Sequence, residues 1–123
     1  MKRWHSERGA AAVEFALVLP MLLFIMLGII EFGRAYNTQI SLTHAARETA
    51  RYMAIHKDSG DATTIGVGAA PSVGLKASHF TFSTETCPKE SNVHVTITYN
   101  LKMITGVGGD MTLTGKAAMR CGG

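Results

Sequence analysis

From Phe15 to Ile30 the chain carries no charged residue, and with Ala10 to Val13 the apolar run reaches about 21 residues broken only by Glu14, the length needed to cross roughly 30 Å of hydrocarbon. A run of this kind restricts the chain to folds that place it in a bilayer or cover it completely. The whole sequence has 123 residues, 46% of them apolar and 17% charged, which fits one modest domain and not a disordered tail.

A secretory signal peptide is the first competitor, since Lys2, Arg3 and Arg8 precede the apolar run. Its cleavage site requires small residues after the run, yet Pro20 to Ile30 has only large side chains apart from Gly28. Helical spacing then continues into polar sequence. By the positive-inside rule, the three cations before the span put the N-terminus in the cytoplasm and everything beyond about Glu31 outside the inner membrane. Removing residues 1–9 takes away Lys2, Arg3, Arg8 and Glu7 and leaves 9 basic and 8 acidic groups. The basic bias therefore belongs to the leader and to topology, and no nucleic-acid partner is expected.

Beyond the span, Phe32, Tyr36 and Ile40 repeat every four residues, while Ala35, Leu42, Thr49 and Gln39, Ala46, Met53 recur at intervals of seven. This predicts one helix from about Ala10 to His56, roughly 70 Å long, whose second half stands outside the bilayer. Pro20 is expected to kink it. Ala45, Ala46 and Ala50 form a narrow side, with Arg47, Glu48 and Arg51 on another. Asp58-Ser59-Gly60-Asp61 is read as its end, and the glycine-rich stretch Gly66 to Gly74 as a linker or long loop. No Gly-Lys-Ser/Thr comes after those glycines, which argues against a phosphate loop.

Alternation then takes over. Val93, Val95, Ile97, Tyr99 and Leu101 share one face of a strand, with His94, Thr96, Thr98 and Asn100 on the other. Phe80 and Phe82 mark a shorter strand, and Met111, Leu113 and Gly115 to Met119 another after Gly106-Val107-Gly108-Gly109-Asp110. The fold class is α+β: a long N-terminal transmembrane helix extending out of the membrane, then a small antiparallel sheet packed on its outer half. The segments are a leader at 1–9, the span at 10–30, its extracytoplasmic continuation at 31–56, a linker at 57–78 and the sheet at 79–123.

Two constellations carry chemistry. Gly9 offers a protease an unhindered bond at the cytoplasmic face, and cleavage there frees an α-amino group at Ala10. Glu14 costs up to about 2.5 to 3.5 kcal/mol at the bilayer midplane, so that amine, about one turn away or on a neighbouring subunit, is its natural partner and would set axial register. The plainer reading is a Glu14 that snorkels to the interface. Cys87 and Cys121, placed outside the membrane, would close a loop of about 35 residues, worth roughly 3 to 4 kcal/mol. Free thiols or a metal pair are the alternatives, although no C-x-x-C or nearby histidine cluster supports metal. The five histidines are scattered, with His44 and His56 on the helix and His94 on the polar strand face, and no catalytic set, metal site or cofactor is expected.

The run Arg8-Gly9-Ala10-Ala11-Ala12-Val13-Glu14-Phe15-Ala16-Leu17-Val18-Leu19-Pro20, with Gly28-Ile29-Ile30-Glu31-Phe32-Gly33-Arg34-Ala35-Tyr36 and Ala45-Ala46-Arg47-Glu48-Thr49-Ala50-Arg51, resembles the TadE-like family of Tad (tight adherence) pilus proteins. The likeness is close over about residues 6–54 and looser to the end, where Leu113 to Arg120 is similar to the family's last strand. It implies a minor pilin or pseudopilin, not an enzyme, cut by a prepilin peptidase after Gly9, with Glu14 and Phe15 at the positions of leader recognition and register. Implied partners are other pilin subunits, membrane lipid, the inner-membrane platform, the assembly ATPase and, where an outer membrane exists, a secretin. The tail is too long for a fibre subunit of such systems. Against this stands an uncleaved, single-pass anchored protein whose sheet binds a ligand.

Overall fold

The computed structural model describes residues 4–106 and 109–122. Its first element, α1, is a 53-residue helix, Trp4–His56, that runs through Pro20. It begins earlier than Ala10, because Glu7 lies in its first turn and Gly9 is too isolated to break it. Lys2 and Arg3 of the leader, and Val107 and Gly108 of the last loop, lie outside the described residues. Two compact units divide the chain, Met1–Gly33 and Arg34–Gly123. The first contains the N-terminal part of α1, with its apolar run.

In the second unit, the seven-residue repeats mark the buried face of α1. Leu42, Ala45, Ala46, Thr49, Ala50 and Met53 are inaccessible to water. Thr49 satisfies its hydroxyl by donating 2.7 Å to the Ala45 carbonyl, so it sits in the core with no orphaned polar atom. The other repeat, at Tyr36 and Ile40, is exposed. Lys57 ends α1 in the left-handed region, at φ 58°, with its N–H 2.9 Å from the Met53 carbonyl.

The expectation of a loop over the whole of 57–78 is corrected by a second helix, α2, which spans Ser59–Ala69. Asp58 is extended and accepts from the Asp61 N–H at 3.0 Å, and this N-cap starts a helix at the cluster of turn formers that by itself signals only a stop. Thr63 and Thr64 donate back to the carbonyls of Ser59 and Gly60. The glycines serve packing: Gly66 is buried, and a Cβ built there would lie 2.5 Å from the Phe80 ring and collide with the Thr49 hydroxyl. Ala62, Ala70 and Leu75 from this stretch join the core.

A single 3-10 turn, Ala77–His79, leads to β1 (Phe80–Phe82), β2 (Asn92–Leu101) and β3 (Met111–Arg120). They form one antiparallel sheet in the order β1-β2-β3. The alternation expected of β2 is present: Val93, Val95 and Ile97 are fully buried between exposed or half-buried neighbours. Phe80, Phe82, Tyr99, Leu113 and Ala117 pack on the same core. Gly115, opposite Ile97, lets α1 come down onto β3, for a Cβ there would stand 2.6 Å from the backbone carbonyl of Leu42. The α+β class and the antiparallel sheet against the later part of the helix are thus both present.

Candidate functional site

In the first unit, α1 presents its apolar side chains outward all round. The most apolar stretch of the helix is wholly uncovered. Phe15, Leu17 and Phe24 are each at least 65% exposed. Leaving such a side chain in water instead of burying it forgoes about 1.5–3 kcal/mol, and here more than a dozen stand in one segment. A core helix of a water-soluble protein would be covered. The helix is long and apolar enough to cross a membrane.

Gly9, Ala10, Glu14 and Phe15 all lie within this helix and are exposed. Ala10 and Glu14 are one turn apart, on one face. A Cβ on Gly9 would meet nothing within 4 Å, so no neighbouring group obstructs that bond. The Gly9–Ala10 peptide is helical and not extended, and a protease acting on it must first unwind the turn.

Cys87 and Cys121 are joined by a disulfide, with Cα atoms 5.5 Å apart. The bridge ties the loop between β1 and β2 to the residue after β3, and both cysteines are buried in the core cluster. Beside it, Cys121 donates its N–H to the Ser91 carbonyl at 2.8 Å and Gly122 to the Ala54 carbonyl at 3.1 Å. The end of β3 is therefore fastened both to the start of β2 and to α1.

Among the described residues no three His, Cys, Asp or Glu gather where they could hold a metal ion. One open depression of about 430 Å³ is lined by Gln39, Ile40, Thr43, His44 and Arg47, all on α1. His44, His56 and His94 are exposed. Tyr52 stacks on His56 with ring centres 4.1 Å apart. Its phenol is pushed above the usual value of 10.0, first by burial and then by Asp61 and Asp58, with a hydrogen bond to Asp61. Neither α2 nor the bond from Gln39 Nε2 to the Thr114 carbonyl, 2.8 Å, is signalled by sequence pattern. The one sequence trace of the latter is the placement of Gln39 on the same repeat as Ala46 and Met53.

Residues 9–51 match the family model of TadE-like protein. Over that stretch, about a third of the chain, the sequence is similar to that family. The match takes in Gly9, Ala10, Glu14 and Phe15 and the part of α1 that carries the core of the second unit, and it stops before α2 and the sheet. No curated protein and no solved structure matches the chain.

Proposed function

We propose that this chain is a minor pilin or pseudopilin of a Tad-type pilus or related secretion apparatus, cut by a prepilin peptidase after Gly9, and that it supports pilus assembly and adhesion. The observation that carries the reading is the coincidence of the TadE-like match with an uncovered apolar helix that leads into a small disulfide-closed body. In this reading the helix is stored in the inner membrane with its N-terminus cytoplasmic, and the body stands outside, where a disulfide persists. The exposed side chains from Val13 to Ile30 then contact lipid first and later the helices of other pilin subunits. In this reading the platform and assembly ATPase supply the extraction.

Glu14 has a defined task here. Its carboxylate lies one turn from Ala10, so the amine released by cleavage, its own or a neighbour's, neutralises it within the apolar packing. The test is the N-terminal residue of the protein isolated from its native membrane. Ala10 is the expected result, and an intact Met1 would overturn processing. Glu14→Ala should insert into the membrane at least as readily and yield fewer pili. The second reading, an anchored binding module, rests on the self-contained core of Arg34–Gly123. That reading would require Glu14→Ala to be silent and changes in the sheet loops to abolish attachment.

A further inference from the structure

The sheet order leaves β3 without a strand on its outer side. Three hydrogen bonds establish which of its backbone groups face that side. Cys121 N–H to the Ser91 carbonyl extends the β2–β3 register by one odd-numbered pair, and Ser83 N–H to the His94 carbonyl, 3.0 Å, turns the even-numbered residues of β2 toward β1. Gln39 reaches the Thr114 carbonyl from α1. The even-numbered residues of β3 therefore direct N–H and C=O away from β2. Gln39 covers one such carbonyl, while those of Lys116, Ala118 and Arg120 have no partner among the described residues.

The same residues place their side chains on the outer face of the sheet. Its cross-strand pairs are Asn92 with Arg120, His94 with Ala118, Thr96 with Lys116, Thr98 with Thr114 and Asn100 with Thr112. No carboxylate occurs among them. Ala118, being small, leaves an open depression of about 370 Å³ beside His94, Thr96 and Lys116.

We propose that the Lys116–Arg120 half of β3 accepts an extended acidic segment of a partner protein as a fourth, antiparallel strand. Backbone bonds to Lys116, Ala118 and Arg120 would supply the pairing, and carboxylates four residues apart would stand opposite Lys116 and Arg120. A second copy of this chain is the wrong occupant: antiparallel self-pairing about Ala118 puts Lys116 opposite Arg120 twice. Cations on an edge strand also deter non-specific pairing, which leaves a segment of opposite charge as the one admitted. The proposal is independent of processing at Gly9 and of Glu14.

The test uses the full chain in detergent micelles and the peptide acetyl-Thr-Glu-Val-Thr-Val-Glu-Thr-amide, with a twin carrying Lys for Glu. Saturable binding of the acidic peptide is expected, with exchange of the Lys116 and Ala118 amides slowed about tenfold or more, and no binding of the twin. Ala118→Pro deletes an edge-facing N–H without touching the β2 ladder and should weaken binding about tenfold or more. The pair Lys116→Glu and Arg120→Glu should reverse the choice of peptide, and it decides the matter should the proline variant not fold. An acidic peptide that does not bind, or that binds without amide protection, means that the cations act only against aggregation or as a diffuse charge, and overturns the proposal.

Discussion

Gly115 and Gly68 differ in one respect that sets the sign of a substitution. A Cβ on Gly115 would be 2.6 Å from the Leu42 carbonyl carbon and oxygen, backbone atoms of a helix that cannot give way. Gly115→Ala should therefore lose about 1–3 kcal/mol through overpacking. Gly68, within α2, has nothing within 4 Å of the same position, so Gly68→Ala should gain about 0.5–1 kcal/mol from helix propensity and a less flexible unfolded chain. Urea melts of the full chain in micelles, followed by near-ultraviolet circular dichroism, would give both signs. Tyr52 adds a pH dependence. Its folded phenol is raised above 10.0, mainly by burial, so the folded state holds the proton more tightly than the unfolded one. That contribution is complete below pH 10 and is lost as pH rises through the folded value. In a phenolate absorbance titration Tyr52→Phe should remove a late-titrating component, and Asp61→Asn should bring that component earlier.

At the scale of elements, legibility depends on whether a residue's neighbours lie along its own element. The sevenfold repeats of Leu42 with Thr49 and of Ala46 with Met53 mark the buried side of α1, and strict alternation from Val93 to Ile97 marks β2, since in each case one face meets one core. Stretch 57–78 reads as a loop because its helical signals are tertiary. Gly66 weakens a helix taken alone but is the residue that lets α2 approach Thr49 and Phe80, and Asp58 is a turn former whose effect depends on the Asp61 N–H it accepts. For the candidate site, the positions of Gly9 and Glu14 on one exposed apolar helix are legible from hydropathy, whereas the edge bond from Gln39 to Thr114 joins residues 75 apart and leaves no trace beyond the place of Gln39 on the repeat of Ala46 and Met53. Asp58→Ala should cost about 1 kcal/mol, with the loss confined at first to α2. Faster amide exchange at Ala62 and Thr63 than at Val95 would show it.

Of the two units, one holds the uncovered apolar run and the other the covalent staple. The 90 residues from Arg34 share one core in which five alanines and two valines stand with Leu42, Met53, Leu75, Ile97 and the two cysteines, a small core for the chain ordered. The Cys87–Cys121 bridge, with a sequence separation of 34, encloses β2 and the hairpin to β3. By chain-entropy arithmetic that contributes about 3–4 kcal/mol, a large share of the stability of a body this size. The double change Cys87→Ala and Cys121→Ala should therefore lower the denaturation midpoint of the body sharply. On the proposed reading, insertion depends on the apolar run at 10–30, which contains neither cysteine, and should be untouched. Carbonate extraction of membranes, paired with limited proteolysis of the exposed body, separates the two effects: the double variant should stay in the membrane fraction while its body is cleaved faster than that of the parent. Loss from the membrane fraction would mean that the span does not anchor the chain by itself, and equal proteolysis would mean that the core holds without its bridge.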